Sequence, residues 1–330
     1  MKRVILCADV YRPELHLDLS FQQEWDSPES IEFLKTAVQS AGIECEIIEP
    51  VKERGRLLRL LAEVAPEQKK NLILWNLTEG FLSRNREAYI PALAEFLGFP
   101  YTGADAYAQI LSLDKLLSKE LAGKAGIPVT AHSEILPREF IVSVPEFPVF
   151  LKPRYEGSSL GVSENSICRN WEELYINTGR ISEDLFPLLA ETYLEGREFT
   201  AGFIGERIGA PLEVISPSPV YSEEVKGKSS MPEKLIPVED ASIDNTIMMY
   251  TRRIIETLGV RCYGRVDWKL NGNGSLFFLE INLTPGLSPY YSSFPRSYEN
   301  RLGSYSDMVK EILLLADANY ELRQARYGKL

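Results

Sequence analysis

The first hundred residues alternate between strand-like and helix-like runs, and this alternation restricts the possible folds more than any other feature of the chain. VILCADV reads as a buried strand. Ser27 and Pro28 then open a helix over IEFLKTAVQS, with a serine suited to cap it and a proline at the first helical position. ECEIIEP is a second strand, RLLRLLAEVA a second helix and NLILWNL a third strand. A β-α-β-α-β rhythm predicts a parallel sheet covered by helices. Between the first strand and first helix, Tyr11–Asp26 shows no period and is expected to be a long loop, which in a compact domain is usually functional.

Beyond the turn-rich joint Gly98–Gly103, LSLDKLLSKELAGKAG predicts one helix ending at Gly126. FPVFLKP predicts a strand and WEELYINTGRISED an amphipathic helix. LAETYLE and REFTAGFIG are expected to form a strand–turn–strand around Gly196, followed by a strand at LEVISP. The polar stretch Tyr221–Glu239 predicts a mobile loop, and DNTIMMYTRRIIETLG a helix. RCYGRVDWKLNGNGSLFFLEINL predicts a hairpin turning at Asn271-Gly272-Asn273-Gly274. A last helix is expected from Ser306. At 330 residues the chain is too long for one small core, and the punctuation divides it into 1–103, 104–190 and 191–330.

A content of 45% hydrophobic and 25% charged residues is that of a soluble globular chain that needs no disulfide or metal staple. The four cysteines form no CxxC pair, and Cys7 and Cys262 are expected as buried free thiols. No apolar run approaches the ~18 residues of a membrane helix, and the N-terminus reads as a strand and not as a signal peptide. A cytoplasmic protein with no membrane partner is expected. A net charge of −11 argues against a nucleic-acid partner, because few cations are available to release counterions from a phosphate backbone. Small-molecule substrates are expected instead.

Two segments carry chemistry. On the predicted hairpin, Glu280 and Asn282 are two residues apart and leave the same face of their strand, while Asp267 on the partner strand can face the same space. Three hard oxygen ligands suit Mg²⁺, which keeps waters and takes further ligands from nucleotide phosphates. The same pattern also suits an ordinary half-exposed strand. The second segment is Lys152-Pro153-Arg154-Tyr155-Glu156-Gly157-Ser158-Ser159-Leu160-Gly161, a strand end running into small residues whose backbone N–H groups can approach an anion. It is not a Walker A loop, and alone it is equally consistent with a plain turn.

NLTEG, FLGFPYTGADAYAQILSLDKLLSK, FPVFLKPRYEGSSLGVS, LAETYLEGREFTAGFIG and GRVDWKLNGNGSLFFLEINLTPGL, in that order, resemble the ATP-grasp superfamily and, within it, the D-alanine–D-alanine ligases. The resemblance runs from about Asn71 onward. It implies an α/β, partly α+β, ATP-grasp fold: an N-terminal parallel-sheet domain, a central domain with a Gly/Ser lid, and a C-terminal catalytic domain with the metal site. It implies that Lys115 and Lys152 hold ATP phosphates and that Ser158 and Ser159 close over the γ-phosphate. Glu191, Tyr193 and Leu194 would form the adenine hinge with Leu279 beside it, and Glu198 would bind the ribose. Asp267, Glu280 and Asn282 would hold two Mg²⁺ ions, with Mn²⁺ as a substitute. Arg265 and the Gly286 N–H would stabilise an oxyanion, and Lys226 would close the site. A homodimer is a further implication.

The resemblance weakens on the substrate side. Ala8-Asp9-Val10-Tyr11-Arg12-Pro13 stands where the family has a glycine-rich loop with a Glu for the first substrate's ammonium, leaving Glu14, Asp18 and Glu24 as replacements. The family's His is absent from Asn76-Leu77-Thr78-Glu79-Gly80-Phe81, Gly227 follows Lys226 in place of a Tyr, and Tyr291 falls near the place of a Ser that holds the second substrate's carboxylate. These departures point to a ligase that joins a different amino acid or small metabolite carboxylate to an amine through an acyl phosphate. Three alternatives stay open: a true D-alanine–D-alanine ligase, a non-catalytic nucleotide-binding regulator, and an acyl-phosphate-forming kinase without an amine acceptor.

Overall fold

The computed structural model describes residues 2–12, 25–80, 83–157, 160–216 and 233–327. Strands β1 (Arg3–Ala8), β2 (Glu44–Ile48), β3 (Leu72–Leu77) and β4 (Tyr101–Thr102) form a parallel sheet in the order β2-β1-β3-β4. Its central strands read as unbroken apolar runs because both faces are covered. From β1, Val4, Leu6 and Ala8 pack with Ile31, Leu34 and Val38 of α1 (Pro28–Ser40) and with Met308, Val309 and Ile312 of the last helix. Ile5 and Cys7 point the other way, toward Leu57 and Leu61 of α2 (Pro50–Glu63) and Ile90 of α3 (Tyr89–Leu97). Helix α1 begins as expected: the Ser27 side chain accepts from the Ser30 N–H, and Pro28 needs no partner.

A second, antiparallel sheet has the order β12-β11-β9-β13-β14, with β10 pairing the C-terminal end of β9, beyond β11. Its strands are β9 (Glu198–Ile204), β10 (Arg207–Ile208), β11 (Leu212–Ile215), β12 (Lys234–Pro237), β13 (Tyr263–Leu270) and β14 (Leu276–Asn282). Phe199, Val266 and Trp268 on one face pack with Ile247 and Ile254 of a 17-residue helix, Ala241–Thr257. A third sheet, β5-β8-β6-β7, comprises β5 (His132–Ile135), β6 (Val149–Pro153), β7 (Ile167–Cys168) and β8 (Leu188–Thr192). Between the sheets, the Trp75 indole donates to the Tyr263 hydroxyl at 3.1 Å. The last helix, Tyr305–Tyr327, starts where expected and packs on the first sheet. All four cysteines are buried and free. Among the described residues, no helix is long and apolar enough to cross a membrane.

Four local expectations are corrected. Within Tyr221–Glu239, expected as a mobile loop, Lys234–Pro237 form β12 and pair with β11. The predicted helix 111–126 is two helices, α4 (Ala106–Leu113) and α5 (Lys115–Lys124), because Asp114 takes an extended conformation and caps the N–H groups of Leu116 and Leu117. The helix at Trp171 (α6) ends at Thr178 before Gly179, and Glu183–Leu185 is a separate 3₁₀ turn. The segments around Gly196 are not a hairpin: β8 pairs with β5 and β6, whereas β9 pairs with β11 and β13. The chain therefore crosses from one sheet to another there. A Cβ on Gly196 would sit 2.3 Å from the Leu270 carbonyl oxygen, so only glycine permits the crossing to pass this close to β13.

Candidate active site

The face of the second sheet opposite its core carries the polar residues. Val266 and Trp268 point into the core, which sends Arg265 and Asp267 to the other side. On β14 simple alternation would put Glu280 on the core face with Phe278. The register instead pairs Asp267 with Glu280 and Trp268 with Phe278, so Leu279 is the extra residue of a β-bulge. The bulge turns Glu280 and Asn282 to the side of Asp267 and Arg265, and Arg265 stands opposite Asn282.

Cations from two other elements meet these carboxylates. Lys115, in the first turn of α5, places Nζ 3.4 Å from Glu280 Oε2 and also bonds the Glu156 carbonyl. Lys152, at the end of β6, pairs with Glu191 Oε1. The other Glu191 oxygen lies 2.8 Å from Lys119 Nζ and accepts from the Thr130 hydroxyl at 2.9 Å. Lys119 donates as well to the Phe278 carbonyl at 3.2 Å. Arg265 Nε lies 3.3 Å from Asp267 Oδ2, and Nη1 donates to the Ser293 hydroxyl at 3.3 Å.

The electrostatics follow from this crowding. Burial opposes ionisation of Glu280, but Lys115, Lys152 and Arg265 outweigh it and hold the carboxyl well below its usual range. Asp267 goes the other way, because burial and the Glu280 charge outweigh the help from Arg265. Lys119 and Lys152 overcome burial to keep Glu191 firmly ionised. Lys152 is raised despite burial by Glu191 and Glu280, whereas burial prevails at Lys119 and lowers it.

The structure thus brings Lys115, Lys152, Glu191, Arg265, Asp267, Glu280 and Asn282 together. Glu198, at the start of β9, bonds Lys269 at 3.1 Å. Leu194 is buried, and Tyr193 stacks on Phe150 while its N–H donates to the Pro148 carbonyl. Ser158, Ser159 and Lys226 lie outside the described residues, as do Glu14, Asp18, Glu24 and Gly227. Three residues of the cluster were not legible as site residues. Lys119 and Thr130 complete the Glu191 network, and Arg86, in the 3₁₀ turn before α3, lies wholly buried, 3.1 Å from Glu156 Oε2 and 3.2 Å from the Tyr155 carbonyl. Only the spacing of Lys115 and Lys119, one helical turn apart, hinted at a shared face.

The donor set can be tested against a hard divalent cation. Among the described residues, no group of three His, Cys, Asp or Glu side chains converges as a metal site. Two carboxylates and one amide face the same space, with Asn282 Oδ1 also accepting from the Thr284 N–H at 2.9 Å. So few all-oxygen protein ligands suit Mg²⁺ that draws its remaining ligands from phosphates and water, and do not suit a self-sufficient protein cage.

A parallel sheet, two antiparallel sheets and a polar seam between the latter define an ATP-grasp fold. The model of the D-Ala–D-Ala ligase C-terminus matches residues 126–314, and the chain belongs to this ATP-grasp, D-alanine–D-alanine ligase-like family. It is 28% identical to a D-alanine–D-alanine ligase of Bordetella avium, over 71% of this chain and 74% of that protein. With a D-alanine–D-alanine ligase of Pseudomonas fluorescens it shares 29% identity, over 77% of this chain and 76% of that one. An uncharacterized protein of Sinorhizobium fredii, y4sG, is 28% identical over 90% of both chains. Among solved structures, the D-alanine–D-alanine ligase of Bacillus anthracis complexed with ATP superimposes with a TM-score of 0.77, covering 98% of this chain and all of that one at 17% identity. That likeness establishes the fold.

Proposed function

We propose that the protein is an ATP-dependent ligase that joins a carboxylate to an amine through an acyl phosphate, with release of ADP and phosphate. The observation that carries this reading is the convergence of Lys115 and Lys152, from two different elements, on the carboxylate face built by the β14 bulge. Such a seam sets lysine ammonium groups that can meet phosphates beside oxygen ligands for the counter-cation. In this reading one substrate's carboxylate takes the γ-phosphoryl group, and the amine then attacks the acyl carbon. Arg265 and the Gly286 N–H steady the oxyanion. Asp267, Glu280 and Asn282 would hold Mg²⁺, which offsets the negative charge of the phosphates. Ser158, Ser159 and Lys226 are assigned to closure over the site, the hinge Glu191–Leu194 and Leu279 to the base, and Glu198 to the ribose. The units 1–103, 104–190 and 191–330 belong to the same proposal.

For the substrates, the names of the relatives favour D-alanine in both places. This moves a true D-alanine–D-alanine ligase ahead of the altered-substrate reading that the departures at Asn76–Phe81, Gly227 and Tyr291 suggested. A second reading, another amino acid as acceptor, is favoured by one observation: Tyr291 is hydrogen-bonded to the carboxylate of Asp26. Phosphate release with D-alanine against a panel of D- and L-amino acids, with mass spectrometry of the product, tests the reading. D-alanyl-D-alanine formation is expected. ADP formation that needs no amine would replace the ligase with an acyl-phosphate kinase, and no ADP with any pair would replace it with a nucleotide binder.

A further inference from the structure

Asp26 stands at the entrance to α1, but Ser27 caps that helix and leaves the Asp26 side chain for another task. Its backbone is anchored on β1's extension: Val10 and Asp26 form a bridge, and the Tyr11 N–H donates to the Asp26 carbonyl at 2.9 Å. Its carboxylate accepts from the Tyr291 hydroxyl at 3.3 Å and from the Leu287 N–H. The Tyr291 hydroxyl is fixed in turn by the Ser27 N–H at 3.3 Å and the Ser30 hydroxyl at 3.2 Å, which also lies 2.9 Å from Ser288 Oγ. A Cβ built on Gly286 would lie 3.8 Å from Asp26 Oδ1. A carboxylate at the entrance to α1 thus borders the very glycine to which the ligase reading gives the oxyanion.

We propose that Asp26, oriented by Tyr291, binds the acceptor's ammonium group and takes the proton that must leave before the amine can attack. This rests on the ligase reading above and deepens it. An ammonium has no lone pair, so one N–H bond must break first and its proton passes to the Asp26 carboxylate. The freed lone pair forms the C–N bond at the acyl carbon. Phosphate departs with the electron pair of the C–O bond, and the second amine proton leaves with it. Burial pushes the Asp26 carboxyl up to about 6, against the Tyr291 and Leu287 hydrogen bonds that lower it. It is therefore ionised at neutral pH and still able to accept a proton.

Hydroxylamine provides the test, because it is uncharged at neutral pH and intercepts acyl phosphates without needing an ammonium site or a base. Hydroxamate, dipeptide and ADP are each quantified for the full-length protein and for Asp26→Asn and Tyr291→Phe, because D-alanine, the donor, can also serve as acceptor. D-alanine serves as carboxylate donor, and hydroxylamine or members of the D- and L-amino acid panel as acceptor. Asp26→Asn should keep hydroxamate formation within about threefold of wild type and lose at least thirtyfold with the best amino-acid acceptor, with an unchanged KM for ATP. Tyr291→Phe should fall between, through a raised acceptor KM. Equal losses with both acceptors would place Asp26 on the donor or in the fold, and no loss with either would remove it from the site. Both results overturn the proposal. Wild-type protein that releases no ADP even with hydroxylamine overturns the ligase reading, and this inference with it.

Discussion

Asp267 stands directly opposite Glu280 across β13 and β14, and the two half-buried carboxylates are pushed in opposite directions by their surroundings. Three cations bear on Glu280, led by Lys115, while Asp267 has only Arg265 and a Thr200 hydrogen bond to set against burial and its neighbour's charge. Two like charges held this close are tolerable only with cations around them, and a bound divalent cation would relieve both at once.

Glu280→Gln should therefore cut ADP release by roughly 10²–10³-fold, as for loss of one preorganised electrostatic group. The thermal midpoint should stay within a few degrees of wild type, since the amide fills the same space. Activity near wild type would remove Glu280 from the metal set.

Chelation bears on the same set. ADP release should vanish in excess EDTA and return with Mg²⁺ or Mn²⁺ but not with Na⁺. Turnover that survives exhaustive chelation would show that the lysines suffice and would sink the cation assignment.

Glu191 is the shared partner of Lys119 and Lys152, both of them buried. Removing it as Glu191→Ala strands two buried cations, and breaking a buried pair in this way costs about 3–5 kcal/mol. Urea denaturation at neutral pH checks this; a loss below about 1 kcal/mol would mean that water reaches the network.

Asp9 gives a pH signature. Burial pushes its carboxyl up to about 6, partly offset by the Gly80 N–H that donates to it at 2.8 Å. Because the folded pKa exceeds the unfolded one, the native state binds more protons than the unfolded chain between about pH 4 and 6. Its contribution to stability therefore falls as pH rises through that window, by about 3 kcal/mol at most. In urea titrations at pH 4 and pH 6, Asp9→Asn should remove that decline relative to wild type. Parallel pH profiles for the two proteins would refute it.

Gly196 tests the crossing between sheets. Gly196→Ala must displace the Leu270 carbonyl, a backbone atom with no rotamer to yield, and should cost roughly 1–3 kcal/mol. It should also raise the KM for ATP, since the Glu191–Leu194 segment adjoins it. An unchanged denaturation midpoint would show that the segment is free to shift.

The parallel sheet, the helix capped at Ser27, the hairpin closed at Asn271–Gly274 and the lysines in SLDK and FLKP were all legible in the sequence. Each depends on a local signal: an apolar period, a capping residue, a turn pair or a short ordered motif. What the sequence could not disclose depends on contacts between distant segments. Asp114 breaks a helix that periodicity would continue, because its capping bonds and the Arg154 guanidinium at 2.6 Å outweigh propensity. LAETYLE and REFTAGFIG look like hairpin partners until the pairing assigns them to different sheets. Lys119 became part of the polar network only when Glu191, more than seventy residues away, was folded onto it. Asp26 likewise met Gly286 and Tyr291 only through the packing of the first helix on the loop after β14. The bulge at Leu279 shows the division most clearly. The side chains of Glu280 and Asn282 share a face by sequence spacing alone, but which face that is depends on one extra residue in the register. That register is set by Phe278 and Trp268 finding the core, a tertiary decision that no local period encodes.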